Sequence, residues 1–493
     1  MATTDSDPHT PLRSFWLVLL SITLLAGGMR LFNLSEFSFW EDELYTVRSS
    51  AFQDNWQVAK QFGYIPTTLS LMADGVDVKN ITWDNVDQWQ ALGVNTFNTR
   101  IGSCLVGILT IPLLALAGRR LFGDRTTLIL ALLLAASPWH LFWSQAARFY
   151  TMQFLFYNLA LLWYFRTTME RSTRLAILAG LAIIMAYLSQ PPALLISLVL
   201  AADVGLCLIR KEPIKLTAFG WAAGIIAVLI CVGIQVYDMK SASDNWGAWG
   251  KLEGHQWHVI AASMLLRNGP IIVPLAALSA LAMLRTQTRL TLYLLAGATL
   301  PVLALMALSF KEDMYVHERY AFIVHYAWLA LAAMGLGAVW EAAIKQCRGT
   351  SLAAIATTAV IASMLWADLT YYTHGHGNRR RWNEAFAYVE QHRQPGQDVA
   401  VLSSVSTPIA RYYLQTDDLV PFHAFPTSPE KLHALPNTTW LVLPAVSATR
   451  GEMYPWLNDM ADLKAYYDLR LLQPFSSIRV YLHTPTQTQD TNQ

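Results

Sequence analysis

The chain has 493 residues, of which 54% are hydrophobic and only 14% charged, and its formal net charge is +1. Soluble globular domains run near 25% charged, so this balance excludes an ordinary soluble enzyme. The near-neutral charge leaves no electrostatic footprint for nucleic acid. Of the four cysteines, Cys104, Cys207 and Cys231 sit inside apolar blocks and Cys347 in a short basic loop, so no disulfide framework is readable.

The apolar residues fall in blocks of about 18–22, the length that crosses a hydrocarbon core of about 30 Å. The first, Phe15 to Gly28, has one basic residue before it and no small-x-small cleavage site, and reads as a retained anchor rather than a signal peptide. About eleven spans are expected by hydropathy. They lie near 14–34, 100–118, 126–143, 149–166, 174–189, 191–209, 216–236, 268–284, 290–309, 321–340 and 351–370. The fifth and sixth meet at Ser189-Gln190-Pro191-Pro192, where proline cannot continue a helix.

Lys and Arg are unevenly shared between the two sets of short loops. One set carries Arg119, Arg120, Arg125, Arg166, Arg171, Arg174, Arg210, Lys211, Lys215, Arg285, Arg289, Lys345 and Arg348; the other offers Arg148, Lys311 and Arg319. The positive-inside rule puts the richer set and the N-terminus in the cytoplasm. A long first loop (35–98), a tryptophan-rich segment (237–267, with Trp246, Trp249 and Trp257) and a tail from 371 then fall outside. In the tail, a helical stretch from Trp382 to His392 precedes Pro395-Gly396. Strand-like runs follow at Asp398, Thr439 and Ile478, the pattern of a small α/β domain. The last ten residues, rich in Thr and Gln, read as disordered. The expected organisation is a membrane catalytic domain, 1–370, that includes the 35–98 loop, and an extracytoplasmic α/β domain, 371–493.

Three motifs on the outer side carry chemistry. Phe39-Trp40-Glu41-Asp42-Glu43-Leu44-Tyr45 sets three carboxylates beside a span's end, where ionised groups are costly unless they face a polar cavity. Read alone, it is equally an ordinary solvated acidic loop. Ser137-Pro138-Trp139-His140 through Arg148-Phe149-Tyr150 is a proline-started turn with a lone arginine whose planar fork matches phosphate oxygens. Its plainer reading is a snorkelling anchor. Lys311-Glu312-Asp313-Met314-Tyr315-Val316-His317-Glu318-Arg319-Tyr320 gathers acid, imidazole and guanidinium. A carboxylate to take an acceptor's proton and cations to hold a leaving phosphate are the parts of displacement at a phosphorylated anomeric carbon. His317 has no matched second ligand motif, so no metal site is assigned and divalent-metal dependence stays open.

These motifs resemble those of a known group. Phe39-Trp40-Glu41-Asp42-Glu43 is similar to the Asp-Glu signature opening the first outer loop of GT-C glycosyltransferases. The likeness is to the protein O-mannosyltransferase and aminoarabinose transferase group (family 39). Gly93 through Arg100, Gly118-Arg119-Arg120-Leu121-Phe122-Gly123, the Ser137-Pro138 to Tyr150 turn, Arg319-Tyr320 and Arg381-Trp382-Asn383-Glu384-Ala385 resemble further elements of that group, in order along the chain. Where many bacterial members carry His-Pro-Pro, this chain reads Tyr64-Ile65-Pro66-Thr67-Thr68, and its loop adds Asp74, Asp77, Asp84 and Asp87.

The resemblance implies a polytopic α-helical membrane fold of the GT-C type and an inverting transfer of sugar from a polyprenyl-phosphate donor. The acceptor, a protein, lipid or glycan, is unspecified, and the setting is a bacterial plasma membrane. It implies Asp42 as catalytic base with Glu43 beside it, orienting the acceptor or tuning the base. Arg148 and Arg319 become donor-phosphate ligands, supported by Tyr150 and His317. The rival classes are a flippase of lipid-linked glycan, for which only Asp203 and His325 lie at suitable depth, and a non-catalytic membrane scaffold.

Overall fold

The computed structural model describes residues 12–51, 58–214, 216–243, 257–310, 316–345, 350–374, 377, 379–401, 406–416, 419–421, 437–444, 446–447, 451–452, 463–469 and 478–484. Lys215, residues 311–315, Trp246, Trp249, Cys347, Arg348 and residues 485–493 lie outside that set. The chain divides into two compact units. The first comprises 1–32, 54–65 and 103–368, the second 33–53, 66–102 and 369–493.

Among the described residues, sixteen α-helices run in order: α1 Leu12–Leu31, α2 Glu41–Ser49, α3 Val58–Ala73, α4 Thr96–Ala135, α5 Pro138–Ser144, α6 Tyr150–Glu170, α7 Thr173–Ser189, α8 Ile196–Ile209, α9 Ala218–Ser243, α10 Trp257–Asn268, α11 Ile272–Met283, α12 Thr288–Leu308, α13 His325–Lys345, α14 Thr350–Thr373, α15 Trp382–His392 and α16 Thr407–Leu414. Seven described helices are long and apolar enough to cross a membrane, or eight if the bent pair α10–α11 is one span. The expected count of about eleven is not confirmed by these candidates, and three features bear on the difference. Helix α4, 40 residues in all, runs through two expected spans, and its backbone leaves helical geometry at Gly123, φ +75°, a conformation that favours glycine. Helix α7 has only 17 residues. Helices α10 and α11 meet at 86°, so the expected span 268–284 is the second arm of a broken element.

In the first unit, α6 packs on α7, α7 on α9, α8 on α12, and α13 on both α11 and α12. Burial sorts these helices. The window Glu318–Lys345 is 78% buried and Ala218–Asp238 only 17%, so α13 is central and α9 peripheral. On α1 the buried Phe15, Leu19, Ile22 and Ala26 repeat every three or four residues, while Leu17, Leu20 and Leu24 remain exposed for lipid. Deep among the helices, Asp203 of α8 accepts two hydrogen bonds from Arg289 of α12 (3.1 and 2.8 Å) and one from the Tyr164 hydroxyl of α6 (3.1 Å). An isolated carboxylate there would be expensive; this one is neutralised.

The second unit is built on a five-stranded mixed sheet. Its strands are β1 Asp398–Val401, β2 Leu419–Pro421, β3 Thr439–Pro444, β6 Leu463–Leu469 and β7 Ile478–His483; a separate hairpin pairs β4 Val446–Ser447 with β5 Gly451–Glu452. The order is β2-β1-β3-β7-β6. Strand β1 runs parallel to β2 and β3, whereas β7 is antiparallel to β3 and β6. The three strands expected from the sequence are the three central ones.

Helix α15 lays Trp382, Phe386 and Val389 into the core with Val399, Trp440 and Val480, an i, i+4, i+7 stripe. The same core contains Phe39, Leu44, Val47, Leu71, Ile81 and Trp89. The loop assigned with the membrane domain on sequence thus shares its apolar interior with the tail, because its hydrophobic side chains find their burial there. Three of its extra acids have partners within the second unit. Asp74 accepts from Asn98 (2.8 Å), Asp77 caps a short 3-10 turn and Asp87 pairs with Arg411 (2.7 Å).

Removing one partner of a buried ion pair costs about 3–5 kcal/mol because the other charge is stranded. Arg289→Ala should therefore lower the thermal midpoint of the detergent-solubilised protein sharply, and Asp203→Leu in that background should recover much of the loss. A single variant as stable as the parent would show that the pair carries no such charge.

Candidate functional site

Residues of the expected site occur in both units. In the second, the acidic run forms the first turn of α2, where carboxylates complement the helix N-terminus. The three acids differ sharply. Glu41 pairs with Arg380 at 2.7 Å. Glu43 is fully buried, and its oxygens accept from Arg100 Nε (2.9 Å) and Nη2 (2.7 Å) and from the Trp40 backbone N–H (3.0 Å). Arg379 Nε lies 3.6 Å away. Asp42 is half-buried, and its backbone carbonyl accepts from the Thr46 hydroxyl (3.1 Å).

Arg100 is saturated. Its remaining donors go to the carbonyls of Leu34 (3.1 Å), Phe37 (2.8 Å) and Ser38 (2.7 Å), which with the two carboxylate bonds occupies all that a guanidinium has. Burial pushes the Glu43 carboxyl upward, but the Arg100 charge, then Arg379, and the hydrogen bonds from Arg100 and Trp40 overcome it and hold the group at about 2, against an ordinary 4.5. A carboxylate so held is a poor base, and both its oxygens are engaged. Glu43 anchors the first turn of α2, on which Asp42 also sits.

In the first unit, the Arg148 turn is assembled by Arg30 at the end of α1. Fully buried, Arg30 donates to the carbonyls of Ala26 (3.2 Å), Leu134 (3.2 Å) and Ala135 (3.0 Å) and lies 2.8 Å from His140 Nδ1. It thereby satisfies carbonyls at the C-terminus of α4 that have no intrahelical partner. Gln145 closes the turn by donating to the carbonyls of Arg30 (2.9 Å) and Phe32 (2.7 Å). Helix α5 begins with Ser137 as cap, its hydroxyl accepting from the His140 N–H (3.2 Å), and with Pro138 at the first helical position. Gly107 of α4 makes room for it, since a Cβ there would sit 2.2 Å from Ser144 Oγ.

Arg148 emerges from this turn 8% exposed, its guanidinium carbon 4.5 Å from the Phe149 ring centroid. Tyr150 starts α6, with its ring centroid 4.1 Å from that of Trp143.

The third motif joins the second through one side chain. Residues Glu318–Val324 form a 3-10 turn with His317 as its cap, and His317 Nδ1 lies 2.6 Å from Glu318 Oε2. Phe322, three positions after Arg319, stacks on Phe154 at 4.6 Å and meets Trp139 at 5.2 Å and His140 and Trp143 at 6.2 Å. The turns bearing Arg148 and Arg319 therefore share one aromatic cluster, although 171 positions of sequence separate the two arginines. Behind it, His325 Nε2 lies 2.6 Å from Ser137 Oγ, and His325 Nδ1 lies 2.5 Å from Asn268 Oδ1. Among the described residues, no group of His, Cys, Asp or Glu is placed to hold a metal ion.

Arg100, Arg30 and Arg379 were not singled out as functional from sequence. The signal for Arg100 was present: it is a lone arginine at the head of an apolar span, on the cation-poor side of the expected topology. Nothing local marks Arg30 or Arg379 as more than a span-end or loop cation.

A family model described as "Dolichyl-phosphate-mannose-protein mannosyltransferase" matches residues 89–237. No curated protein matches the sequence. Among solved structures, the chain is similar to ArnT from Cupriavidus metallidurans in the apo state. Identity is 13%, over 95% of this chain and 98% of that one, with a TM-score of 0.57. ArnT from the same organism bound to undecaprenyl phosphate gives 12% identity over the same shares and a TM-score of 0.53. The Archaeoglobus fulgidus oligosaccharyltransferase in the apo form gives 12% identity over 88% of this chain and 70% of that one, at 0.54. The fold is that of the GT-C membrane glycosyltransferases.

The lowered Glu43 pKa carries a pH signature. The unfolded carboxyl takes up its proton near 4.5 while the folded one stays ionised to about 2. Its contribution is thus complete above about 4.5 and lost as pH falls toward 2, and amounts to about 3 kcal/mol. Glu43→Gln should be less stable at neutral pH and lose less stability on acidification to about pH 3. Parallel stability–pH curves for parent and variant would remove this assignment.

Proposed function

We propose that this chain is an inverting glycosyltransferase that moves a sugar from a polyprenyl-phosphate donor to an acceptor hydroxyl or amine on the outer face of the membrane. Support comes from a fold likeness to ArnT over nearly the whole of both chains, one of the ArnT structures being bound to undecaprenyl phosphate. The mannosyltransferase family match takes in the Arg148 turn. The observation that carries the assignment of roles is the division of labour in the acidic run. Arginines engage Glu41 and Glu43, and Asp42 stands half-exposed on a turn that Arg100 immobilises.

In this reading Asp42 takes the proton from the acceptor. The acceptor's electron pair forms the new bond to the anomeric carbon as the bond from that carbon to the phosphate oxygen breaks, and the electron pair leaves with the phosphate. Opposite-side attack inverts the anomeric configuration, as in the base-assisted half of an inverting glycosidase. Arg148 and Arg319 neutralise the charge gathering on the leaving phosphate, with Tyr150 and His317 in support. Arginine suits that role because its planar donors match phosphate oxygens in pairs. The N-terminus is assigned to the cytoplasm and the tail to the outer side on the distribution of Lys and Arg. A flippase would need ionisable groups open to a path, and the pairing of Asp203 with Arg289 and Tyr164 argues against that use.

Asp42→Asn keeps the shape of the side chain and removes its basicity. Transfer from a radiolabelled polyprenyl-phosphate sugar should slow by roughly a hundredfold or more with donor affinity nearly intact. Arg148→Lys should do the reverse, weakening donor binding measurably. Near-parental turnover in the first variant would dismiss Asp42 as base, and parental donor affinity in the second would leave Arg148 an interfacial anchor.

Topology has its own check. An impermeant thiol reagent applied to intact cells should label a cysteine placed at Gln394 and spare one placed at Thr286, and the opposite pattern would invert the orientation.

A further inference from the structure

At its elbow with α11, helix α10 ends on Arg267 and Asn268, and these consecutive residues hold the Arg319 turn at both of its ends. Arg267 donates to Glu318, the first residue of the turn (3.3 Å), and Asn268 meets His325, the residue that closes it (2.5 Å). The Arg267 side chain is 39% exposed, so its ion pair is screened and contributes little. Asn268 and His325 are both at most 1% exposed, and the hold depends on them. Gly269, φ +92°, turns the chain immediately afterwards, and the two helices diverge by 86°.

The hydrogens along this contact have one consistent arrangement. Asn268 Nδ2 donates to the Met264 carbonyl (2.6 Å), so the amide oxygen faces His325 and His325 Nδ1 carries a proton. The hydrogen-bond partners of His325 among the described residues, Asn268 and Ser137, are neutral, and burial of an unpaired charge is costly, so the ring is neutral. Nε2 is then a bare acceptor, and the Ser137 hydroxyl, 2.6 Å away, supplies the hydrogen. Ser137 Oγ in turn accepts the His140 backbone N–H (3.2 Å) as the cap of α5. Donors therefore run from the His140 N–H through Ser137, His325 and Asn268 to the Met264 carbonyl, every link pointing the same way.

Serine, imidazole and a side-chain carbonyl in this order also activate the nucleophile of hydrolases. Here Ser137 is fully buried and its oxygen is already engaged by an N–H. Nothing reaches that oxygen, and what the arrangement offers is position.

We infer that the relay of Ser137, His325 and Asn268 sets the separation of the Arg148 and Arg319 turns, and through it the grip on a polyprenyl phosphate. Ser137 opens the segment that leads through α5 to Arg148, and His325 closes the turn that carries Arg319. One imidazole thus joins both turns. It also lies in the aromatic cluster they share, its ring centroid 5.4 Å from Trp139 and 6.1 Å from Phe322. Apolar packing is non-directional, whereas hydrogen bonds of 2.5 and 2.6 Å prescribe both distance and angle. Two guanidinium groups serve one phosphate only at a matched spacing. The three are positioning residues that touch neither donor nor acceptor, and their part in donor binding rests on the transferase reading above.

The test is binding of undecaprenyl phosphate to the full-length protein in nanodiscs, alongside nitrogen NMR spectra of protein isotopically labelled at histidine. His325, identified by the signal lost in His325→Gln, should report a neutral ring protonated at Nδ1. Asn268→Leu and Ser137→Ala should each weaken lipid binding by about tenfold or more. Ser137→Thr keeps the hydroxyl and the cap, and should bind within about threefold of the parent. Because both losses break one chain, the double variant should bind little worse than either single one. If Asn268→Leu does not fold, the contrast between Ser137→Ala and Ser137→Thr and the parent spectrum decide the matter. A ring protonated at Nε2, parental affinity in a folded single variant, or additive losses in the double variant would overturn the inference and leave the transferase reading standing. A parent that does not bind undecaprenyl phosphate would remove that reading, and the relay's part in donor binding with it.

Discussion

The second unit depends on one buried ion pair. Arg100 and Glu43 are both withdrawn from water, and such a pair survives only when its remaining hydrogen-bonding capacity is met. Here it is met in full: two bonds to the carboxylate and three to the carbonyls of the 34–38 stretch saturate the guanidinium, and the Trp40 N–H and Arg379 complete the surroundings of Glu43. The start of α4, the entrance to α2 and the residue 379 region of the tail are thereby tied at one point. The reward is definition rather than energy.

The first unit uses an arginine in a comparable way. Arg30 ends α1 by collecting carbonyls from two helices and lying against His140, and Gln145 returns two bonds to the backbone around it. Carbonyls at the end of a helix in apolar surroundings must find a donor, and supplying them with a side chain from another helix makes the turn between α4 and α6 a fixed object. Arg148 and Tyr150 follow that turn in the chain. Phe322 then locks the Arg319 turn to the same aromatic cluster.

A GT-C fold at 12–13% identity says how helices are arranged and leaves chemistry to be argued from sites. Three adjacent carboxylates are interchangeable on paper, whereas in the folded chain two are committed to arginines and differ from Asp42 in exposure. Under the proposed function the half-exposed acid is the one assigned as base.

What the sequence determined by itself is local. The apolar blocks around α1, α9, α12 and α14 are legible because the length of an uncharged run is a property of the run, and β1, β3 and β7 because alternation and β-branched residues are likewise local. Asp42 and Glu43, Arg148 and Arg319 stood out because charges beside apolar spans are conspicuous.

Tertiary structure alone decided whom those charges meet: Arg100 reaches Glu43 across 57 positions, Arg289 reaches Asp203 across 86, and Arg380 reaches Glu41 across 339. It also decided that the first loop shares the tail's core, since an exposed-looking loop and an isolated small domain each carry apolar surface that only the other can cover. Whether α4 is one span or two, and whether α10 and α11 are a single broken one, turned on the direction of the chain at Gly123 and beside Gly269. Hydropathy counts apolar length along a chain; it has no information about angle.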